Sequence, residues 1–173
     1  MNVYYIDGQF IPADRAALPV DDLALLRGYG VFDFLRTYGR KPFFVEEHVG
    51  RLAASASLIG LDFPFDQKDV VRIVEDTLAK NPDEESNIRI ILTGGPSRDA
   101  LTPSGPPRLL VLVAPLIRFP AKWYDSGVKV ITTSFCRQIP GAKTLNYIPA
   151  LVALGHARKR GGVEAVSVDP DGR

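Results

Sequence analysis

Two helical stripes, set one after the other between strand-like runs, constrain this chain more than any other feature. Residues 46–59 carry Val49, Leu52, Ala53, Ala56 and Ile59 at helical spacing, and Gly60 is a natural stop. Beyond Pro64 a second helix over residues 66–80 puts Val70, Ile73, Val74 and Leu78 on one stripe, and Asn81-Pro82-Asp83 ends it. Apolar stripes need a surface to cover, and the flanking sequence supplies strands. Residues 3–6 and 9–11 flank Asp7-Gly8, a pair suited to a tight hairpin turn, and Pro12 closes the hairpin. A strongly β-patterned run over residues 31–38 turns at Gly39-Arg40 into a returning strand over 42–45, and residues 88–92 and 108–114 add two more strands. Residues 18–26 have room for a helical turn.

A stretch with two prolines over residues 115–120 reads as an extended linker, which places a domain boundary there. The fold class expected is α/β (α+β), with a small N-terminal α/β domain over residues 1–119 and the beginning of a larger one over 120–173. In that second part, residues 128–133 form a strand that can run on to Arg137, which puts Cys136 on a strand as packing. A helix follows, with Asn146 as its N-cap, Pro149 in its first turn, Arg158-Lys159-Arg160 in its last and Gly161-Gly162 closing it. Residues 164–168 are a strand leading into the turn sequence Asp169-Pro170-Asp171-Gly172. A turn after a single strand leaves its edge without a partner, so the 173 residues read as the front portion of a longer protein. A fraying tail at a true terminus is the competing reading.

Composition narrows the function. Hydrophobic residues at 46% and charged residues at 24% are ordinary for a globular protein, and a net charge of +1 gives no footprint for nucleic acid or an anionic membrane. The sequence has no apolar run of membrane-spanning length and no secretory leader pattern, so the expected compartment is the cytoplasm. The lone Cys136 cannot form an intrachain disulfide, and with His48 and His156 it shows no metal-ligand spacing. Gly28 and Gly30 permit close backbone approach but also suit a turn before a strand. The loop over residues 93–107, rich in Gly, Pro and Ser and containing Arg98-Asp99, reads as either a functional loop or a mobile connection.

Among seven lysines, Lys143 stands apart, on a short loop immediately ahead of an apolar helix. Such an amine is either a nucleophile or an exposed loop charge.

Four stretches taken together resemble the class IV, fold type IV family of pyridoxal-phosphate enzymes, which contains branched-chain and D-amino acid aminotransferases and aminodeoxychorismate lyase. They are Arg27-Gly28-Tyr29-Gly30-Val31-Phe32-Asp33, Glu47-His48-Val49-Gly50-Arg51-Leu52, Lys143-Thr144-Leu145-Asn146-Tyr147, and Gly162-Val163-Glu164-Ala165 leading to Asp169-Pro170-Asp171-Gly172. The resemblance implies pyridoxal 5'-phosphate as cofactor, with Lys143 as the Schiff-base amine. A cofactor-facing lysine has its pKa depressed from the free value of about 10.4, and after displacement the same amine can move a proton as base and acid. Arg51 would bind the cofactor phosphate through a planar fork, and Tyr147 its phenolic oxygen. Tyr29 and Phe32 would line the substrate side, with Arg89 and Arg98 as candidates for a substrate carboxylate; His48 belongs to the motif without a chemical step.

The activity implied is transfer of an amino group between an amino acid and a 2-oxo acid, with a lyase of the aminodeoxychorismate type as the alternative. A larger domain with a barrel-like sheet and a homodimer are implied as well. The family's Glu-Gly-x-x-x-Asn segment, whose glutamate meets the pyridine nitrogen, is absent from these 173 residues. A catalytically silent truncated fragment is therefore a further expectation to weigh.

Overall fold

The structure is a computed structural model, which describes residues 1–135 and 137–169. In chain order the elements are β1 (Val3–Ile6), β2 (Gln9–Pro12), α1 (Leu23–Arg27), β3 (Gly30–Tyr38), β4 (Lys41–Pro42), α2 (Val45–Leu58), α3 (Gln67–Ala79), β5 (Ser86–Thr93), β6 (Arg108–Pro115), α4 (Lys122–Ser126), β7 (Val130–Thr133), α5 (Ile148–Lys159) and β8 (Glu164–Ser167). The chain divides into two units. One holds residues Met1–Ile117 together with Gly141–Leu145, and the other holds Arg118–Pro140 and Asn146–Arg173.

In the first unit a six-stranded sheet runs in the order β2-β1-β6-β5-β3-β4, and its pairings are antiparallel. The Asp-Gly pair makes the β1–β2 turn with positive φ at both residues, 47° at Asp7 and 93° at Gly8, as a two-residue hairpin requires. Helices α2 and α3 cover one face. Val49, Leu52 and Ala56 from α2 and Val70 and Val74 from α3 are fully buried against Val31, Ile88, Ile90, Leu92, Leu109, Val111 and Val113 of the strands. Each valine, leucine or isoleucine among them contributes about 1.5–3 kcal/mol by leaving water. Asp66 caps α3 by accepting from the Lys68 N–H (2.7 Å), which starts that helix where the sequence signals it.

The returning strand expected over residues 42–45 is only Lys41–Pro42. Phe44 turns into the left-handed region (φ 49°) and α2 begins at Val45. Val45 lies one helical turn before Val49 and is buried with it, so core burial converts the end of an apparent strand into a helix start.

The second unit contains a β7–α5–β8 crossover, with β7 and β8 parallel from Val130↔Glu164 to Thr133↔Ser167. Strand β7 is shorter than expected, and α4 has no counterpart in the sequence reading because five residues are too few to show a period. Asn146 is not the N-cap of α5. Tyr147 holds that position with no side-chain cap, and Pro149 sits in the first turn. The C-terminal end behaves as expected, with Gly161 at φ 72° and the Gly162 N–H donating to the Ala157 carbonyl (2.8 Å). The expectation for Cys136, and the part of the last turn at residues 170–172, lie outside the described residues.

Gly30 is where the fold is least forgiving. A Cβ there would stand 2.6 Å from the Leu92 carbonyl oxygen and 2.7 Å from Leu145 Cδ1. Gly30→Ala is expected to cost about 1–3 kcal/mol in urea unfolding and to raise hydrogen exchange at the Leu145 amide; unchanged exchange there would contradict the close approach.

Candidate functional site

Alternation along β3 sends Val31, Asp33, Leu35 and Thr37 into the buried row and leaves Phe32, Phe34, Arg36 and Tyr38 on the other. Asp33 is therefore a carboxylate at 0% exposure between apolar neighbours, a placement costing several kcal/mol unless donors meet it. Helix α2 supplies them. Its His48 and Arg51, three residues apart, share one helical face. Arg51 Nε donates to Asp33 Oδ2 at 2.7 Å and Nη2 to Oδ1 at 2.8 Å, a two-pronged pair. His48 Nδ1 lies 2.8 Å from Oδ1, and the Phe34 N–H donates to the same oxygen at 2.7 Å.

Burial pushes the Asp33 carboxyl up, but the hydrogen bonds from Arg51, His48 and Phe34 and the Arg51 charge outweigh it and hold it below its ordinary 3.8. The same bonds raise Arg51 against the opposing effect of burial. An ionised Asp33 can only accept, so the His48 Nδ1 carries the proton and its Nε2 does not depend on Asp33. The 3.1 Å approach of Arg51 Nη2 to His48 Nδ1 is then a contact between two donors.

The lysine is built in at the same strand. Residues 143–145 extend β3 along its edge, with an isolated antiparallel bridge between Val31 and Thr144. The Phe32 N–H donates to the Lys143 carbonyl (2.9 Å) and the Leu145 N–H to the Gly30 carbonyl (3.0 Å). The Lys143 N–H donates to Ser55 Oγ (3.2 Å), a fully buried serine on α2. The Lys143 Nζ lies 4.7 Å from the centroid of the Phe32 ring. One helix thus brings His48, Arg51 and Ser55 to one strand edge. Arg51 reaches that edge on the Asp33 side and the amine on the Phe32 side.

The other sequence-predicted residues are more dispersed. Arg89 on β5 faces Phe34 in register and lies 5.7 Å from the ring centroids of both Phe32 and Phe34. Tyr29 sits elsewhere, packed against the core with its hydroxyl donating to the Gly60 carbonyl at 3.1 Å. Burial, with the charge of Asp62, raises its pKa. Arg98 is exposed on a loop that its neighbour organises. Asp99 accepts from the Leu101 and Thr102 N–H groups (2.9 and 2.7 Å) and from Ser97 Oγ (3.0 Å). Bonds led by the Thr102 and Leu101 backbone hold Asp99 far below the usual carboxylate range. Tyr147, in the second unit, lines a cavity of about 240 Å³ with Phe135, Arg137, Asn146, Pro149, Ala150 and Ser167.

Sequence reasoning gave no role to Asp33, Ser55 or Arg137. Asp33 had a signal, because an acidic residue in the inward row of an otherwise apolar strand demands a cationic partner. Ser55, four residues after Arg51, had only its helical spacing.

A six-stranded antiparallel sheet backed by two helices, followed by a βαβ unit and carrying a strand-edge lysine, defines an α/β protein of the fold type IV class. The chain belongs to the amino-transferase class IV family, whose model matches residues 30–173. It is 31% identical over 175 residues to a provisionally named branched-chain-amino-acid aminotransferase of Methanocaldococcus jannaschii, covering 97% of this chain and 60% of that protein. It is 30% identical to a D-alanine aminotransferase of Staphylococcus epidermidis, covering 96% and 60%. Among solved structures, a hypothetical aminotransferase from Mycobacterium tuberculosis in its PLP-bound form superposes with TM-score 0.79 at 29% identity, covering 98% of this chain and 62% of that one. The same protein was also solved with alpha-ketoglutarate and PMP bound. The chain spans about three fifths of the length of each of these relatives.

Because the folded-state pKa of Asp33 is depressed, its ionised form adds stability that is complete above the ordinary 3.8 and lost as pH falls through the folded-state value. The gap in unfolding free energy between the wild type and Asp33→Asn is therefore expected to hold steady above about pH 5 and to narrow as pH falls through 3.8 and below. A gap independent of pH, measured by urea titration, would contradict the ionised pair.

Proposed function

We propose that this chain carries the reactive lysine of a pyridoxal-phosphate-dependent aminotransferase that moves an amino group between an amino acid and a 2-oxo acid. The observation that carries the reading is the anchoring of Lys143. Hydrogen bonds to Ser55 Oγ and from Phe32, with the adjoining Leu145–Gly30 bond, fix the lysine's backbone and leave its side chain directed over an aromatic ring. A lysine serving only as a loop charge needs no such anchorage.

Arg51 suits the phosphate. Asp33 engages its Nε and Nη2, and its Nη1 donors meet no acceptor among the described residues, on a side chain 53% exposed. That edge of the guanidinium is thus offered outward. When bound, pyridoxal phosphate supplies the carbonyl that accepts the amino group and the ring that takes up the electron pair released as a carbon–hydrogen bond breaks. The residues do the rest. Lys143 Nζ would hold the carbonyl end, and its amine, once freed by an incoming amino acid, is the base that would take the α-carbon proton and the acid that would deliver it to the carbon of the former carbonyl. The Phe32 ring keeps water from one side of that amine. Arg89, beside Phe32, and Arg98, on its braced loop, are the cations for a substrate carboxylate. Tyr147 is assigned to the cofactor's phenolic oxygen.

The relatives named as branched-chain and D-alanine aminotransferases, and the one solved with alpha-ketoglutarate, support amino and 2-oxo acids as the substrate class. We assign a homodimer in the cytoplasm as the working form. No helix among the described residues is long and apolar enough to cross a membrane.

Lys143→Ala is expected to lower amino transfer from an amino acid to a 2-oxo acid by on the order of 10²–10⁴-fold or more, with the thermal midpoint nearly unchanged. Transfer at the wild-type rate in that variant would remove the assignment.

A further inference from the structure

We propose that Asp33 is a positioning residue that aims Arg51 at a phosphate, an inference that rests on the pyridoxal-phosphate reading and gives that site a second, buried component. Alone, an arginine side chain 53% exposed on a helix samples many rotamers and presents its donors in no fixed direction. Asp33 removes that freedom. Its carboxylate is 0% exposed, belongs to a central stretch of β3, and is itself held by the Phe34 N–H at 2.7 Å. It takes Arg51 through Nε and Nη2, the side edge of the guanidinium. Because the guanidinium is planar and rigid, fixing two of its nitrogens also fixes the third. Nη1, which has no acceptor among the described residues, then points along one direction set by the sheet rather than by the helix side chain.

His48 strengthens the arrangement. Its Nδ1 meets the same Oδ1 atom that Nη2 meets, so the carboxylate cannot turn without breaking bonds to two side chains of α2. A neutral amide would not serve in its place, since Asp33→Asn accepts through one oxygen only and turns an NH2 group toward Arg51 or His48. A simple tie between α2 and β3 would also explain an ion pair here. It differs in consequence, because a tie affects every ligand of the site alike, whereas an aimed guanidinium affects only ligands that carry the phosphate.

The test uses the 173-residue chain, titrated by visible absorbance with pyridoxal phosphate and with pyridoxal, which keeps the carbonyl and lacks the phosphate. The wild type is expected to prefer the phosphorylated form. Asp33→Asn is expected to reduce that preference by on the order of tenfold, about 1.4 kcal/mol, with pyridoxal affinity unchanged. If Asp33→Asn fails to fold, Asp33→Glu decides, since it keeps the charge but displaces the fork by a methylene and must also lower the preference several-fold. Equal losses for both ligands, or an undiminished preference, overturn the positioning role while leaving the cofactor assignment in place. A wild type with no preference for the phosphorylated form overturns both.

Discussion

A carboxylate that folding removes from water must be met by donors, and Asp33 is met by two side chains of a single helix. The bonds from Arg51 and His48 fix more than a charge. They set the rotation and register of α2 on β3, because residues 48 and 51 reach one atom pair only in one helical phase. That phase places Val49, Leu52 and Ala56 in the core, and it brings Ser55 to the backbone of Lys143. Removing Arg51 would leave the buried Asp33 carboxylate with only the His48 and Phe34 donors.

The second constraint is steric. Gly30 allows the segment carrying Lys143 to lie against β3, where a methyl group would meet the Leu92 carbonyl and the Leu145 side chain. A residue more than a hundred positions downstream is thereby added to the edge of an N-terminal strand, and Gly141–Leu145 belong to the first unit for that reason. Helix, strand and lysine segment form one arrangement held by backbone hydrogen bonds, the Ser55 hydroxyl and the pairing of Asp33 with Arg51 and His48.

Much of this was legible in the sequence. The Asp7-Gly8 turn and the stripes of α2 and α3 follow from local rules, and the structure contains them within a residue or two. What local rules cannot carry is tertiary demand. Phe44 and Val45 look like strand, yet burial of Val45 beside Val49 starts a helix there. Asn146 looks like a cap, yet the helix opens one residue later and uses none. Around the candidate site, Lys143 and Arg51 stood out through the resemblance of their motifs, while Asp33 and Ser55 emerged only with the packing of α2 on β3. Their partners lie 15 or more residues away, and only the three-dimensional register pairs them.

The central claim is that one lysine of the seven is the amine that engages pyridoxal phosphate, because its backbone is tied to β3 and α2. Reduction with borohydride in the presence of pyridoxal phosphate, followed by tryptic peptide mapping, tests it most directly. The account predicts a pyridoxyl label on Lys143 alone, within the peptide spanning residues 138–158. A label spread over the lysines, or fixed on a different one, would contradict it.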